Sequence, residues 1–270
     1  MTRSLVLFII LIPLAGLAQQ PQDKVYQVNH SWEVPLTLGG FGLVYLGYDR
    51  LRSHSELGVD RVNNLDKDKI NSFDRAVFKH GADGYEAAQR NSDIWVNSLS
   101  AAPLLLLLDK PIRKEWANFL TLYLESHLLG SVVYELSAFS ITRPRPLTYN
   151  PDVPMSERSG FNTGNSFFSG HTSTAAASSF FMAKVISDVH RLDVKQQVAI
   201  YTLASIPSGL VGYYRIKAGK HFRSDVIVGF LVGAFSGILM PELHRLQSTE
   251  LSVAPIFTPA TKGLGLTYRF

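Results

Sequence analysis

The stretch VAIYTLASIPSGLVGYYRIKAGKHFRSDVIVGFLVGAFSGILM, residues 198–240, decides the fold. Two apolar runs, Val198 to Tyr214 and Val226 to Met240, flank a short segment dense in charge. Both runs exceed the usual 4–8 residues of a buried strand, so both read as helices. Between them lie Arg215, His221 and Asp225: an arginine, five residues, a histidine, three residues, an aspartate. Ser224 stands where it could cap the second helix. In such a turn the His221 ring can donate to Asp225, which fixes the tautomer and leaves the other nitrogen a free lone pair. A histidine held this way can attack phosphorus, with Arg215 gripping the phosphoryl oxygens in bidentate fashion. The spacing equally suits a surface histidine in a salt-bridged turn.

Working outward, three more apolar segments read as helices for the same reason of length: Trp95 to Leu108, Phe119 to Phe139 and Thr172 to Ile186. Ser169-Gly170-His171 stands immediately before Thr172. Free N–H groups at a helix start make an anion site, glycine allows close approach, and a protonated His171 can act as general acid. Thr142-Arg143-Pro144-Arg145-Pro146 follows the helix ending near Phe139. Its prolines stop that helix and stiffen the turn, so Arg143 and Arg145 are held rather than free to continue it. If the helices from Thr172 and Val198 run antiparallel, all three clusters meet at one end of the bundle.

With these residues in place, the chain resembles the type 2 phosphatidic acid phosphatase and vanadium haloperoxidase superfamily. Its pattern is Lys-x6-Arg-Pro, then Pro-Ser-Gly-His, then Ser-Arg-x5-His-x3-Asp, and the resemblance runs from about Phe73 to Met240. It implies an all-α helical bundle of the acid phosphatase/haloperoxidase type, working without metal or cofactor; the uncharged runs Val198 to Tyr214 and Val226 to Met240 favour a membrane-embedded form over a soluble periplasmic one. It also implies that Arg145 and Arg215 bind phosphate with Ser169 and Gly170. His171 would be the acid, His221 the nucleophile of a phosphohistidine intermediate and Asp225 its orienting partner. Three positions depart: Phe168 for proline, Tyr214 for serine, and Ala138 for the motif lysine. Arg143 is the first expected substitute for that lysine, with Lys217 and Lys220 as others.

The remaining sequence divides into a leader (1–18), an N-terminal segment (19–59), the phosphatase-like region (60–245) and a tail (246–270). Arg3, the apolar run Leu5 to Leu14 and Gly16-Leu17-Ala18 read as a cleaved secretory signal. There is no cysteine, which excludes disulfides and thiolate chemistry. The net charge of +4, without a basic run interleaved with aromatics, points away from nucleic acid. Val34 to Tyr48 is expected as an apolar stretch of roughly 22 Å, short of a ~30 Å hydrocarbon core. Ile70, Phe73 and Val77 share the spacing of one helical face, and Asp66 to Lys69 reads as a solvated charge run. Glu125 and His127 are expected as a polar pair facing the bundle. Leu251 to Phe257 and Leu264 to Phe270 read as a terminal β-hairpin.

Lys110, Arg113, Lys114, Arg191 and Lys195 fall in turns opposite the clusters, which places those turns in the cytoplasm and the site outside. The expected function is hydrolysis of a phosphate ester or diphosphate, of a membrane lipid or a small ester, at the periplasmic face of the inner membrane. A soluble periplasmic phosphatase, a vanadate haloperoxidase and a non-catalytic anion binder are the other readings.

Overall fold

A computed structural model describes residues 24–246, 251–257 and 262–268; the expected leader lies outside them. Six long helices carry the architecture: α1 (Glu33–His54), α2 (Tyr85–Ala101), α3 (Trp116–Ser140), α4 (Gly170–Val189), α5 (Val194–Lys217) and α6 (Arg223–His244). All five apolar segments expected as helices are helical. In the first of them α2 stops at Ala101 and the chain tightens into a 3-10 helix, Ala102–Leu108. Pro103 brings no N–H for an α-helical bond there. α5 begins in a reciprocal cap, with the Gln196 N–H donating to Asp193 Oδ1 (2.9 Å) and the Asp193 N–H to Gln196 Oε1 (3.0 Å).

α4 is the axis of the bundle. It is rich in alanine and serine and buried along nearly all of its length, with α2, α3, α5 and α6 packed around it. α6 lies closest, through Gly229, Gly233 and Gly237, spaced four apart on one face. A Cβ at Gly233 would sit 2.0 Å from the Ser173 carbonyl oxygen; at Gly229 and Gly237 it would sit 2.4 Å from those of Ser169 and Ala177. Only glycine permits this backbone contact, the small-residue spacing of close helix pairs. The contact fixes the start of α6 against the start of α4.

The chain reversals gather the C-termini of α3 and α5 and the N-termini of α4 and α6 at one end, the site end. At the far end Tyr26 donates to Asp188 (2.8 Å), His190 contacts Asp109 (2.7 Å), and the Leu246 N–H donates to the Val25 carbonyl (2.8 Å). A cluster including Phe119, Leu122, Phe181, Val185 and Val189 fills the core there. The basic turns at Lys110–Lys114 and Arg191–Lys195 belong to this end.

Two expectations are corrected. α1 is a continuous helix of 22 residues, ~33 Å long, rather than a short stretch, because its glycines do not interrupt it. It packs along α3 and exposes Leu36, Leu43, Tyr45 and Leu46. Ile70, Phe73 and Val77 do not share one helical face. Asn71 caps a single turn, Ser72–Arg75, followed by a 3-10 turn, so Asp74 and Val77 point inward and Phe73 outward. Of the five apolar segments, only α6 is both long and apolar enough to cross a membrane among the described residues. Asp66 to Lys69 is exposed as expected. In the tail, β1 (Leu251–Phe257) and β2 (Lys262–Tyr268) pair antiparallel, Leu251 opposite Tyr268.

Candidate active site

The Thr-Arg-Pro-Arg-Pro turn is built by alternation. Arg143 donates its N–H to the Gly164 carbonyl (2.8 Å) and Arg145 to that of Thr163 (2.9 Å), while the Ser166 N–H donates to the Arg143 carbonyl (2.9 Å). Pro144 and Pro146 fall between the donating positions, where a missing N–H costs nothing. This pairing sets segment 143–145 beside 163–166 and brings Arg145 into the bundle end, its Nε donating to the Asn165 carbonyl (3.2 Å).

Arg215, in the last turn of α5, is only 4% exposed. Its Nη1 reaches Ser92 Oγ at 3.4 Å and Asp93 Oδ1 at 3.9 Å, and its buried Nε has no partner. Arg145 and Arg215 lie within electrostatic reach of each other and of both His171 and His221. Half-exposed Asp93 is the one carboxylate within reach of the Arg215 guanidinium, and among the described residues no carboxylate pairs directly with Arg145, so the site holds more guanidinium donors than acceptors.

His221 is buried, and its Nδ1 lies 2.6 Å from the Ser166 carbonyl oxygen. A carbonyl can only accept, so Nδ1 carries the proton and Nε2 presents a lone pair. Burial, then the Arg215 and Arg145 cations, push the His221 imidazole well below its ordinary range, so it is neutral at pH 7. His171, in the first turn of α4, sets its Nε2 2.9 Å from Asp93 Oδ1. The Thr172 N–H at the start of α4 donates to Ser169 Oγ (3.4 Å) and that of Ser173 to the Ser169 carbonyl (3.0 Å), which leaves the N–H groups of Gly170 and His171 without a helical partner.

The PAP2 superfamily model matches residues 119–248, the stretch that carries both histidines and both of these arginines. Residues 119–248 belong to the PAP2 superfamily. The fold is similar to that of the first transmembrane PAP2 type phosphatidylglycerolphosphate phosphatase from Bacillus subtilis, at 19% identity, over 77% of this chain and 94% of that one, with a TM-score of 0.43. It is also similar to Aquifex aeolicus LpxE, at 24% identity, over 56% of this chain and 85% of that one, with a TM-score of 0.36. No curated protein matches the sequence.

Within this PAP2 domain the structure moves several expected contacts. Asp225 does not touch the His221 ring. Its carboxylate accepts from the Phe222 N–H (2.8 Å) and Ser166 Oγ (2.6 Å) and pairs with Arg143. The reason is its place in the first turn of α6, where a free N–H draws the carboxylate back over the helix start. Asp225 thus reaches His221 at one remove, by fixing Ser166, whose carbonyl holds the ring. Ser224 is no cap, since its Oγ and N–H both donate to Asp74, at 2.8 and 2.9 Å.

Arg143 is not a free phosphate ligand either. Its guanidinium pairs with Asp74 (2.8 Å) and Asp225, donates to Ser224 Oγ (2.9 Å), and lies over the Phe222 ring at 4.3 Å. Burial would raise the Asp74 carboxyl, but hydrogen bonds from Ser224, Asn71 and Arg143 hold it below the usual carboxylate range. Ser169 is also engaged, its N–H donating to the Asp225 carbonyl (3.0 Å) and its Oγ bonded to Thr172 Oγ1 (2.8 Å). That leaves Gly170 and His171 to offer the helix start.

Ala138 is buried in α3, so no cation stands at the motif lysine position. Lys220, in the loop between α5 and α6, is pushed down to about 8 by burial and by the neighbouring Arg145 and Arg215 cations. It is therefore a third cation beside those two. Asp93, Ser166 and Asp74 are site residues that the motif spacing missed. Asp93 had one signal, an acid two positions before the apolar run that starts at Trp95.

Beside His171 opens a cavity of about 690 Å³ between α1, α3 and α4, lined by Tyr45, Tyr48, Gly130, Tyr134 and Ala177 among others. Glu125 and His127 do not pair. One helical turn does not bring residues two apart to the same face. His127 Nε2 contacts Ser178 Oγ (3.1 Å), whereas Glu125 faces Thr37 (3.4 Å) and His244 (3.8 Å).

Proposed function

We propose that the chain is a phosphatase of membrane lipid phosphates working through a phosphohistidine on His221. The observation that carries this reading is a buried, neutral histidine with a free Nε2 lone pair set against a buried guanidinium, Arg215, and a half-buried one, Arg145, that carry more donors than the site has acceptors. Arg145, Arg215 and Lys220 hold the phosphoryl oxygens together with the N–H groups at the start of α4. Their positive charge stabilises the transferring group, the dominant requirement of such reactions. The His221 Nε2 lone pair forms the N–P bond as the P–O bond to the lipid alcohol breaks, and His171 passes its proton to the departing oxygen. Water then attacks phosphorus, His171 takes its proton, the N–P bond breaks and inorganic phosphate leaves. Asp93 orients His171, and Asp225 orients His221 through Ser166.

The lipid part of the reading rests on the cavity beside His171 and on apolar side chains turned outward from α1, α5 and α6. The basic turns at the far end favour a cytoplasmic far end and an outward-facing site. The chain lacks native cysteine, so single cysteines at Ser156 and Lys195 can report which end faces out.

The test of activity is phosphate release from phosphatidate, phosphatidylglycerol phosphate and a polyprenyl diphosphate, with acid-labile phosphate trapped on the protein. We expect release and trapping, both lost in His221→Ala, at a cost on the order of 10⁴–10⁶ in kcat. Release that survives His221→Ala overturns the reading, as does halide oxidation that appears only with added vanadate.

A further inference from the structure

At the far end of the bundle, Glu33 at the start of α1, Glu125 in the middle of α3 and His244 at the end of α6 converge. One ligand atom from each lies within 4.8 Å of the other two. His244 Nδ1 lies 2.8 Å from the Met240 carbonyl oxygen, which can only accept. A proton therefore sits on Nδ1, and Nε2 faces the two glutamates. Nε2 stands 3.2 Å from Glu33 Oε2 and 3.8 Å from Glu125 Oε2, yet neither oxygen accepts a hydrogen bond and both are buried without a partner. Glu33 is only 6% exposed. The other two oxygens are engaged elsewhere: Glu33 Oε1 accepts from the Asn29 N–H (2.9 Å) and Glu125 Oε1 from Thr37 Oγ1 (3.4 Å).

Two unpartnered carboxylate oxygens and a ring nitrogen thus face one another within metal-ligand spacing. We infer that Glu33, Glu125 and His244 bind a divalent transition-metal cation of the zinc type. Bonds of about 2.0–2.1 Å arranged tetrahedrally separate neighbouring ligand atoms by roughly 3.3 Å, close to the 3.2 and 3.8 Å from Nε2 to the two carboxylates. One nitrogen and two carboxylate oxygens suit such an ion, with the fourth position left to water. The Nδ1 contact to a backbone carbonyl is the usual second-shell support of a metal-bound imidazole. The ion joins α1, α3 and α6 about 28 Å along α6 from Asp225, so its role is to clasp helices rather than to take part in phosphoryl transfer.

The test uses untagged full-length protein in detergent, freed of metal by chelation. It carries His171→Ala and His221→Ala so that the catalytic histidines cannot hold the ion. Zinc titration is expected to show one bound equivalent, with Tm rising by about 5 °C or more at hundredfold excess over Kd. Glu125→Gln, nearly isosteric, should abolish both. Cobalt(II) added to protein with the site intact should develop the visible bands of a tetrahedral complex. No bound equivalent, or binding that survives Glu125→Gln, overturns the inference. So does a cobalt spectrum that stays that of the hydrated ion, leaving a charged imidazole between two carboxylates.

Discussion

The two ends of the bundle share α3, α4 and α6 but leave opposite deficits. At the site end Arg145, Arg215 and Lys220 bring donors together without enough acceptors, which suits the phosphate proposed above. At the far end Glu33, Glu125 and His244 bring together two unpartnered carboxylate oxygens and a ring nitrogen, which suits the cation inferred above. Within the site end a second contrast appears between two arginines two residues apart. Arg143 is neutralised by Asp74 and Asp225, whereas Arg145 has only a backbone carbonyl at its Nε. Buried charge that is matched holds structure together; buried charge left unmatched waits for a ligand.

The sharpest way to break that contrast is to remove each arginine in turn. Arg145→Ala is expected to lower kcat/KM by about 10³–10⁵ while Tm stays near that of the unaltered protein. Arg143→Ala strands the carboxylates of Asp74 and Asp225, 1% and 0% exposed, and is expected to cost about 3–5 kcal/mol of stability. Equal Tm values for the two variants would show that Arg143 is not the clamp described.

The contact between α4 and α6 holds the site together and offers a smaller effect. Gly233→Ala drives a Cβ into the Ser173 carbonyl and should cost about 1–3 kcal/mol, read as a lowered Tm. An unchanged Tm would mean that the helices can part without loss.

The smallest effect falls on Lys220. Its charged form is the one that holds phosphoryl oxygens, so kcat/KM should be level below its pKa and fall as pH rises through about 8. Lys220→Gln should lose that basic limb, with kcat/KM at pH 7 reduced about tenfold. Lys220→Arg should move the limb upward. A basic limb unchanged in Lys220→Gln would assign it to another group.

The helices were legible because apolar runs longer than a strand leave little choice, whereas glycine and proline are poor markers of breaks: α1 continues through its glycines, and Pro207 and Pro241 lie inside helices. His171, His221, Arg145 and Arg215 were legible because each stands beside a helix end whose place is fixed by those runs. Asp93 and Ser166 were not, since each acts on a histidine 78 or 55 residues away. The role of Arg143 was misread for the same reason. Its partner Asp74 is 69 residues upstream, and Asp74 in turn holds Ser224 across 150 residues.

Sequence alone determined the helices, their turns, and which ends carry cations and histidines, because periodicity, propensity and turn chemistry are local. Only the tertiary structure decided which carboxylate satisfies which cation. It gave Asp225 to Arg143 and Ser166 rather than to His221, and it gathered Glu33, Glu125 and His244 from three helices. A buried charge selects its partner by distance in the folded state, and close backbone contacts such as that at Gly233 set those distances.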